Sequence, residues 1–217
     1  MRLVPALPEY ARKWWGWRHE QSSQRFNPLD RASAVKLAGR LSACGSNLKE
    51  RSFTEYRWIV VLGSEPIGTV GALVASWRLG YAELSYMIGE KWHGRGLGTR
   101  AVGLAVDKFF GETDLGRLFV TISVDNVASQ HLASRLGFVV EGRLRAHFRI
   151  QGRPVDQLVM GLLRQEWLRL RARGGGKLNR PFREVAFEKP GSSSSPGGGG
   201  KQARSPVSRT RRSFSGG

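Results

Sequence analysis

The sequence predicts a mixed α/β domain, a central sheet with helices covering its faces, followed by a basic tail. Three observations carry that expectation. Period-2 alternation and 3.6-residue periodicity take turns from residue 8 to residue 163. A glycine-rich loop with Gly94, Gly96 and Gly98 joins a strand pattern to a helix pattern. Beyond residue 170 apolar residues thin out, and Gly, Ser and Arg take over. The expected boundaries are a domain over 1–170 and a tail over 171–217.

Residues 8–20 read as a helix carrying Trp14, Trp15 and Trp17. A second helix is expected from Asp30 to Cys44, with Ala34, Leu37, Ala38 and Leu41 at i, i+3, i+4 and i+7. Tyr56 to Leu62 reads as a strand, Gly63 to Pro66 as a turn, and Ile67 to Val74 as the returning strand. Tyr81 to Gly89 is the next strand. Its alternation puts Ala82, Leu84, Tyr86 and Ile88 on one face, and Tyr81, Glu83, Ser85 and Met87 on the other.

A helix from Leu97 to about Phe110 follows the glycine loop, with Ala101, Val102, Ala105, Val106 and Phe109 as its apolar stripe. Leu118 to Val124 reads as a strand and Val127 to Leu136 as a short helix. A hairpin closes the body, Val139 to Ile150 and Pro154 to Leu163, turning at Gln151-Gly152-Arg153. The tail carries Gly174 to Gly176, Ser192 to Ser195 and Gly197 to Gly200. With few apolar residues it cannot offset the entropy cost of ordering, so disorder is expected there.

The chain has 217 residues, of which 40% are hydrophobic, enough for an ordinary core. No apolar run approaches the ~20 residues of a membrane helix. Glu9, Arg12 and Lys13 interrupt the N-terminal region early, unlike a secretory signal. Cys44 is the single cysteine, which excludes an internal disulfide and a cysteine-cluster metal site. A cytoplasmic protein without metal is expected. The net charge is +18, and residues 171–217 hold eleven basic and two acidic groups, half of that excess. Such a balance favours an anionic partner: nucleic acid, a ribosome surface, acidic lipid or a phosphorylated cofactor.

Glycines at a helix entrance let an anion approach backbone N–H groups, and the helix dipole adds to the attraction. A phosphate or pyrophosphate is the expected occupant. The P-loop ends in Gly-Lys-Ser/Thr, whereas Gly98-Thr99-Arg100 stands here. The dinucleotide fingerprint needs G-x-G-x-x-G, whereas these glycines run G-x-G-x-G.

Trp92-x-Gly94-x-Gly96-x-Gly98 is followed by Asn126-Val127-Ala128-Ser129, then Leu136-Gly137-Phe138, then Glu141-Gly142-Arg143. In that order these segments resemble the GNAT superfamily of N-acetyltransferases, in particular the branch that includes ribosomal-protein alanine N-acetyltransferases. Gly152 and Asp156 match a Gly and Asp of that branch's last hairpin. The resemblance spans residues 1–168 and is strongest over 81–163. It implies a mostly antiparallel sheet that splays between two parallel strands, with the pantetheine arm of acetyl-CoA in the gap. It also implies backbone contacts to that arm at Met87 and Ile88, and a pyrophosphate cradle from Arg95, Gly96, Leu97, Gly98 and Thr99. His93 stands where the superfamily motif often begins with Gln or Arg, and Asn126 would touch the cofactor arm.

Acetyl transfer needs a neutral amine, an oriented thioester and a proton for the departing thiolate. Glu83, within an Ala-Glu-Leu segment, matches a glutamate that acts as base in parts of the superfamily. Ser129 is the candidate proton donor or orienter at sulfur. The tyrosine many members place four residues before the Gly-Phe pair is absent, and Ala133 stands there. Competing structural roles are N-cap for Asn126 and helix-start serine for Ser129, and Asp156 either binds the acceptor amine or anchors the hairpin. Packing is the expected use of His147 and of the three tryptophans.

Three functions fit in descending order. The first is transfer of acetyl to an amine such as a protein N-terminal alanine. The second is transfer to a small amine, a polyamine or an aminoglycoside. The third is a nucleic-acid or ribosome-binding module acting through the basic tail.

Overall fold

Long-range pairing gathers the strand patterns into one seven-stranded sheet, in the order β1-β2-β3-β4-β5-β7-β6, in a computed structural model that describes residues 1–172. The strands are β1 (Arg2–Pro5), β2 (Glu55–Leu62), β3 (Glu65–Ser76), β4 (Tyr81–Ile88), β5 (Arg117–Ser123), β6 (Val139–Ile150) and β7 (Arg153–Leu163). All neighbours are antiparallel except β4 and β5, which are parallel. The tail expected over 171–217 lies outside the described residues except for Arg171 and Ala172, which end the last helix.

The helices are α1 (Ala11–His19), α2 (Gln21–Phe26), α3 (Ala34–Ser42), α4 (Leu97–Glu112), α5 (Val127–Arg135) and α6 (Arg164–Ala172). The helix expected over 8–20 is thus interrupted. Pro8–Tyr10 forms a 3₁₀ turn, and Glu20 is extended at φ −67°, ψ 149° before α2 begins. Residue 30 does not start α3. Ser33 does, its hydroxyl accepting the Lys36 amide at 3.2 Å.

Each face of the sheet has its own apolar layer. Ile59 and Val61 of β2 join Trp14, Trp17, Leu37 and Leu41 from α1 and α3, with Met87 packed against them. The alternate residue Trp58 meets Phe109 of α4 edge-on on the opposite face, with ring centroids 5.6 Å apart. Ala82 and Leu84 are buried, as their strand alternation predicts. The helix α4 buries Ala101, Val102, Ala105, Val106, Phe109 and Phe110. Its C-terminal end is tied to α6 by Arg164, which donates to the carbonyls of Phe110, Thr113 and Leu115. Among the described residues no helix is long and apolar enough to cross a membrane.

Candidate active site in the splayed sheet

The parallel pair β4–β5 is hydrogen-bonded only from Tyr81 to Glu83 against Arg117 to Phe119. Beyond that point the strands part. On its other edge β5 stays zipped to β7 along its whole length, Arg117 to Ser123. The far halves of β4 and β5 therefore present backbone edges to an opening between them.

The opening leads to the glycine loop. Gly96 sits at φ +69° as the N-cap of α4, and Gly94 at φ +74°. Both conformations favour glycine, and a Cβ at either would meet nothing within 4 Å. Gly98 serves a different need. A Cβ there would come within 2.9 Å of Leu132 Cδ1, so this glycine lets α5 pack close to α4. The first hydrogen bond of α4 runs from Arg100 N to Gly96 O at 3.2 Å, which leaves the amides of Leu97, Gly98 and Thr99 without intrahelical acceptors. The exposed guanidinium of Arg95 lies over Trp92, 5.4 Å from its ring. This open nest of amides at a sixteen-residue helix suits a pyrophosphate in shape and charge.

His93 turns back rather than outward, with Nε2 2.7 Å from the Ile88 carbonyl. A carbonyl only accepts, so Nε2 carries the hydrogen. Asn126 caps α5, its Oδ1 accepting the Ser129 amide at 3.2 Å, which leaves its NH₂ group for other work. Met87 directs its side chain to the α1/α3 layer.

Two side-chain contacts run from β4 across the opening, one on each face, to β5 and to α5. On the α1/α3 face, Thr121 Oγ1 of β5 donates to Glu83 Oε1 at 2.6 Å, one alternation step past the last paired residue. On the α4/α5 face, the hydroxyls of Tyr86 and Ser129 lie 2.7 Å apart. Burial pushes the Tyr86 phenol up to about 12, with the Ser129 contact pulling the other way. The strand pattern placed Tyr86 on one face with Ala82, Leu84 and Ile88 and assigned it no role. Its partner lies 43 residues away, so no local signal marks it.

The Glu83 face is walled by α1 and α2. Glu90 N donates to Glu20 Oε2 at 2.9 Å and Ser22 N to Glu90 Oε1 at 2.5 Å, joining the α1–α2 junction to the segment that leads into the glycine loop. Burial, with the Glu90 charge adding to it, raises the Glu20 carboxyl above its ordinary range. At the other end Ser123 Oγ donates to the Phe26 carbonyl at 2.7 Å and accepts from Gln157 Nε2 at 2.9 Å. Gln151 Nε2 reaches the Gln24 carbonyl at 3.4 Å.

Beneath this wall three guanidinium groups surround Trp14. Arg57 lies 4.7 Å, Arg40 5.4 Å and Arg18 5.8 Å from its ring. Arg57 is 5% exposed, pairs with Glu55 at 2.7 Å and donates to Ser85 Oγ at 3.0 Å. Ser85 is the next residue after Glu83 on the same strand face. Arg40 holds the other oxygen of Glu55 at 2.9 Å, and Arg18 pairs with Asp30. Burial raises the Glu55 carboxyl, but the Arg57 and Arg40 charges outweigh it and hold the group below its ordinary range. Arg18 is buried with its Nε unpartnered, and burial lowers its pKa.

Asp156 anchors the hairpin. Its Oδ1 accepts the Ala146 amide and its Oδ2 the Arg143 side chain, both at 2.7 Å. These bonds fix a bulge in which Ala146 takes φ +49°. Trp14 and Trp17 are core residues, whereas Trp15 is exposed and rests against the His19 ring at 4.0 Å. His147 is exposed beside Phe148. Among the described residues no group of His, Cys, Asp and Glu gathers to hold a metal.

A family model described as an acetyltransferase (GNAT) domain matches residues 1–139, more than half of the chain. Spermidine N(1)-acetyltransferase of Escherichia coli K12 is 30% identical over 128 residues, 59% of this chain and 69% of that protein. The [ribosomal protein uS5]-alanine N-acetyltransferase of the same organism is 31% identical over 84 residues, 39% of this chain and 43% of that protein. Among solved structures, spermidine N-acetyltransferase of Vibrio cholerae with CoA and spermine superposes with a TM-score of 0.68 at 22% identity, covering 77% of this chain and 97% of that one. RimJ of Mycobacterium smegmatis with CoA-disulfide gives 0.67 at 21% identity, covering 79% and 88%. The likeness to the ribosomal-protein branch is therefore no stronger than the likeness to spermidine acetyltransferases.

Proposed function

This chain belongs to the GNAT acetyltransferase family and is an acetyl-CoA-dependent acyltransferase; from that premise we propose that its acceptor is a protein N-terminal α-amine. The observation that carries the choice is the guanidinium cluster of Arg18, Arg40 and Arg57 under the face that bears Glu83. Its carboxylates, Asp30 and Glu55, are spent on those arginines. A polyamine carries several ammonium charges that need carboxylates of their own. An α-amine with a pKa near ~8 brings at most one charge and loses it easily, whereas a lysine-like amine near ~10.4 does not.

Acetyl-CoA supplies the activated acetyl thioester, and the residues do the rest. The amides of Leu97, Gly98 and Thr99, beside Arg95 and Gly96, bind the pyrophosphate. The backbone edge of β4 at Met87 and Ile88, with the Asn126 amide opposite, lines the pantetheine arm, and His93 steadies that edge through the Ile88 carbonyl. Glu83, held by Thr121, takes the amine proton directly or through one water. Ser129 gives a proton to the departing sulfur.

A second reading, a small polyamine acceptor, draws on the adjacent Glu20 and Glu90 carboxylates at the α1–α2 junction and on the relatives named above. Coenzyme A release, measured with an N-terminal-alanine peptide, spermidine and an aminoglycoside side by side, tests the choice. The peptide is expected to give the highest kcat/KM. A tenfold preference for spermidine would replace the first reading with the second.

A further inference from the structure

Tyr86 lies three residues past Glu83, where β4 has already parted from β5, and it reaches across the opening to the first turn of α5. The phenol of half-buried Tyr86 has one hydrogen to donate, and a donor withdrawn from water without a partner carries a desolvation cost. The acceptor within reach is Ser129 Oγ at 2.7 Å. The serine's own amide is already held by the Asn126 cap at 3.2 Å, so backbone and side chain of Ser129 are oriented by separate partners. One turn further along α5 stands Ala133, buried and without a hydroxyl. Of the two hydroxyls the phenol is the more acidic, and burial keeps it protonated up to about 12, so it remains a donor at any working pH.

We propose that Tyr86 is a positioning residue for Ser129: its hydroxyl donates to Ser129 Oγ and thereby turns the serine hydrogen toward the sulfur of the departing thiol. The proposal rests on the assignment of Ser129 as proton donor made above. In the step concerned, the acceptor nitrogen bonds to the acetyl carbonyl carbon and the carbon–sulfur bond breaks. Its electron pair leaves on sulfur, which takes the Ser129 proton, while Glu83 takes the proton lost by the amine. Solvent then reprotonates Ser129 and deprotonates Glu83, so protons balance over the cycle. As Ser129 Oγ gives up its hydrogen, negative charge develops there, and the bond from Tyr86 strengthens against it. Tyr86 keeps its own proton throughout.

The test is a double-mutant cycle on the full chain with Tyr86→Phe, Ser129→Ala and the pair, reading kcat, KM for acetyl-CoA and Tm. Ser129→Ala is expected to lower kcat about 100-fold, within the usual range for a general acid. Tyr86→Phe is expected to lower kcat about tenfold at unchanged KM for acetyl-CoA, the size of one hydrogen bond. The double variant should match Ser129→Ala alone, because a positioning effect vanishes with the group it positions. Wild-type kcat in Tyr86→Phe beside an impaired Ser129→Ala overturns the Tyr86 role alone, and so do losses that multiply in the pair. Wild-type kcat in Ser129→Ala overturns the Ser129 assignment and the Tyr86 role with it. Should Tyr86→Phe fail to fold, 3,5-difluorotyrosine placed at residue 86 keeps the ring and hydroxyl but lowers the phenol pKa. An alkaline fall in kcat that the wild type lacks should then appear, and a profile unchanged from the wild type overturns the proposal.

Discussion

The two faces of the splayed sheet are built on different principles. On the α4/α5 face the groups offered to a ligand are mostly backbone: the amides at the start of α4 and the unpaired edge of β4. On the α1/α3 face it is a side chain, Glu83 held by Thr121, backed by the carboxylate-paired arginines around Trp14, of which Arg18 and Arg57 are buried. A backbone cradle needs only a helix start and glycines in the right conformation, so it tolerates varied sequence around it. A side-chain wall changes its preference with each substitution. The function proposed above thus separates recognition of the donor in space from selection of the acceptor.

The sharpest way to break that contrast is a negative charge in the backbone cradle. Thr99→Glu puts a carboxylate in the first turn of α4, where an acidic residue favours the helix dipole and folding is preserved. At about 4 Å from a phosphate and an effective dielectric of about 20, the repulsion is roughly 4 kcal/mol. Acetyl-CoA affinity by calorimetry should fall about a thousandfold with Tm unchanged. Retained affinity would show that the amides do not hold the pyrophosphate.

The side-chain wall should answer to stability and pH instead. Glu55→Gln leaves Arg57 buried beside a neutral partner and is expected to cost about 3 kcal/mol in denaturant titration. Glu55 is held below its ordinary range, so its stabilising contribution is complete above the unfolded value near ~4.3 and is lost as pH falls through the folded value. The wild type should lose stability in that acid window more steeply than Glu55→Gln. Equal slopes would mean that the arginines do not hold the carboxylate.

The smallest effect separates two uses of one residue. Asn126→Asp keeps the oxygen that caps α5 but removes the amide donor. Tm should stay close to that of the wild type while acetyl-CoA binds about fivefold more weakly, about 1 kcal/mol. Unchanged affinity would leave Asn126 with the cap alone.

Much of this molecule was legible from local patterns. The alternation of β4, the apolar stripe of α4, the Asn126 cap and the glycine loop all lie within one or two turns or strand repeats, where periodicity and backbone conformation decide. The four-residue strand β1 carries too short a pattern to stand out. It exists because β2 offers it an edge, with Val4 opposite Ile59. The break at Glu20 was hidden for a similar reason, since its carboxylate is engaged by an amide 70 residues away. For α6, the triple contact of Arg164 with the end of α4 reaches back some 50 residues.

By itself the sequence determined the order of elements from β2 to β7, the glycines at the start of α4, and the side chains on offer at Glu83, Ser129 and Asn126. Only the tertiary structure decided that β4 and β5 part after Glu83 and Phe119. It alone set Thr121 on Glu83, Tyr86 on Ser129 and three arginines around one tryptophan. The physical reason is range. Helix caps and strand alternation are set by neighbours along the chain, whereas a site in a splayed sheet is set by which distant segments share an edge, and that follows from packing the whole core.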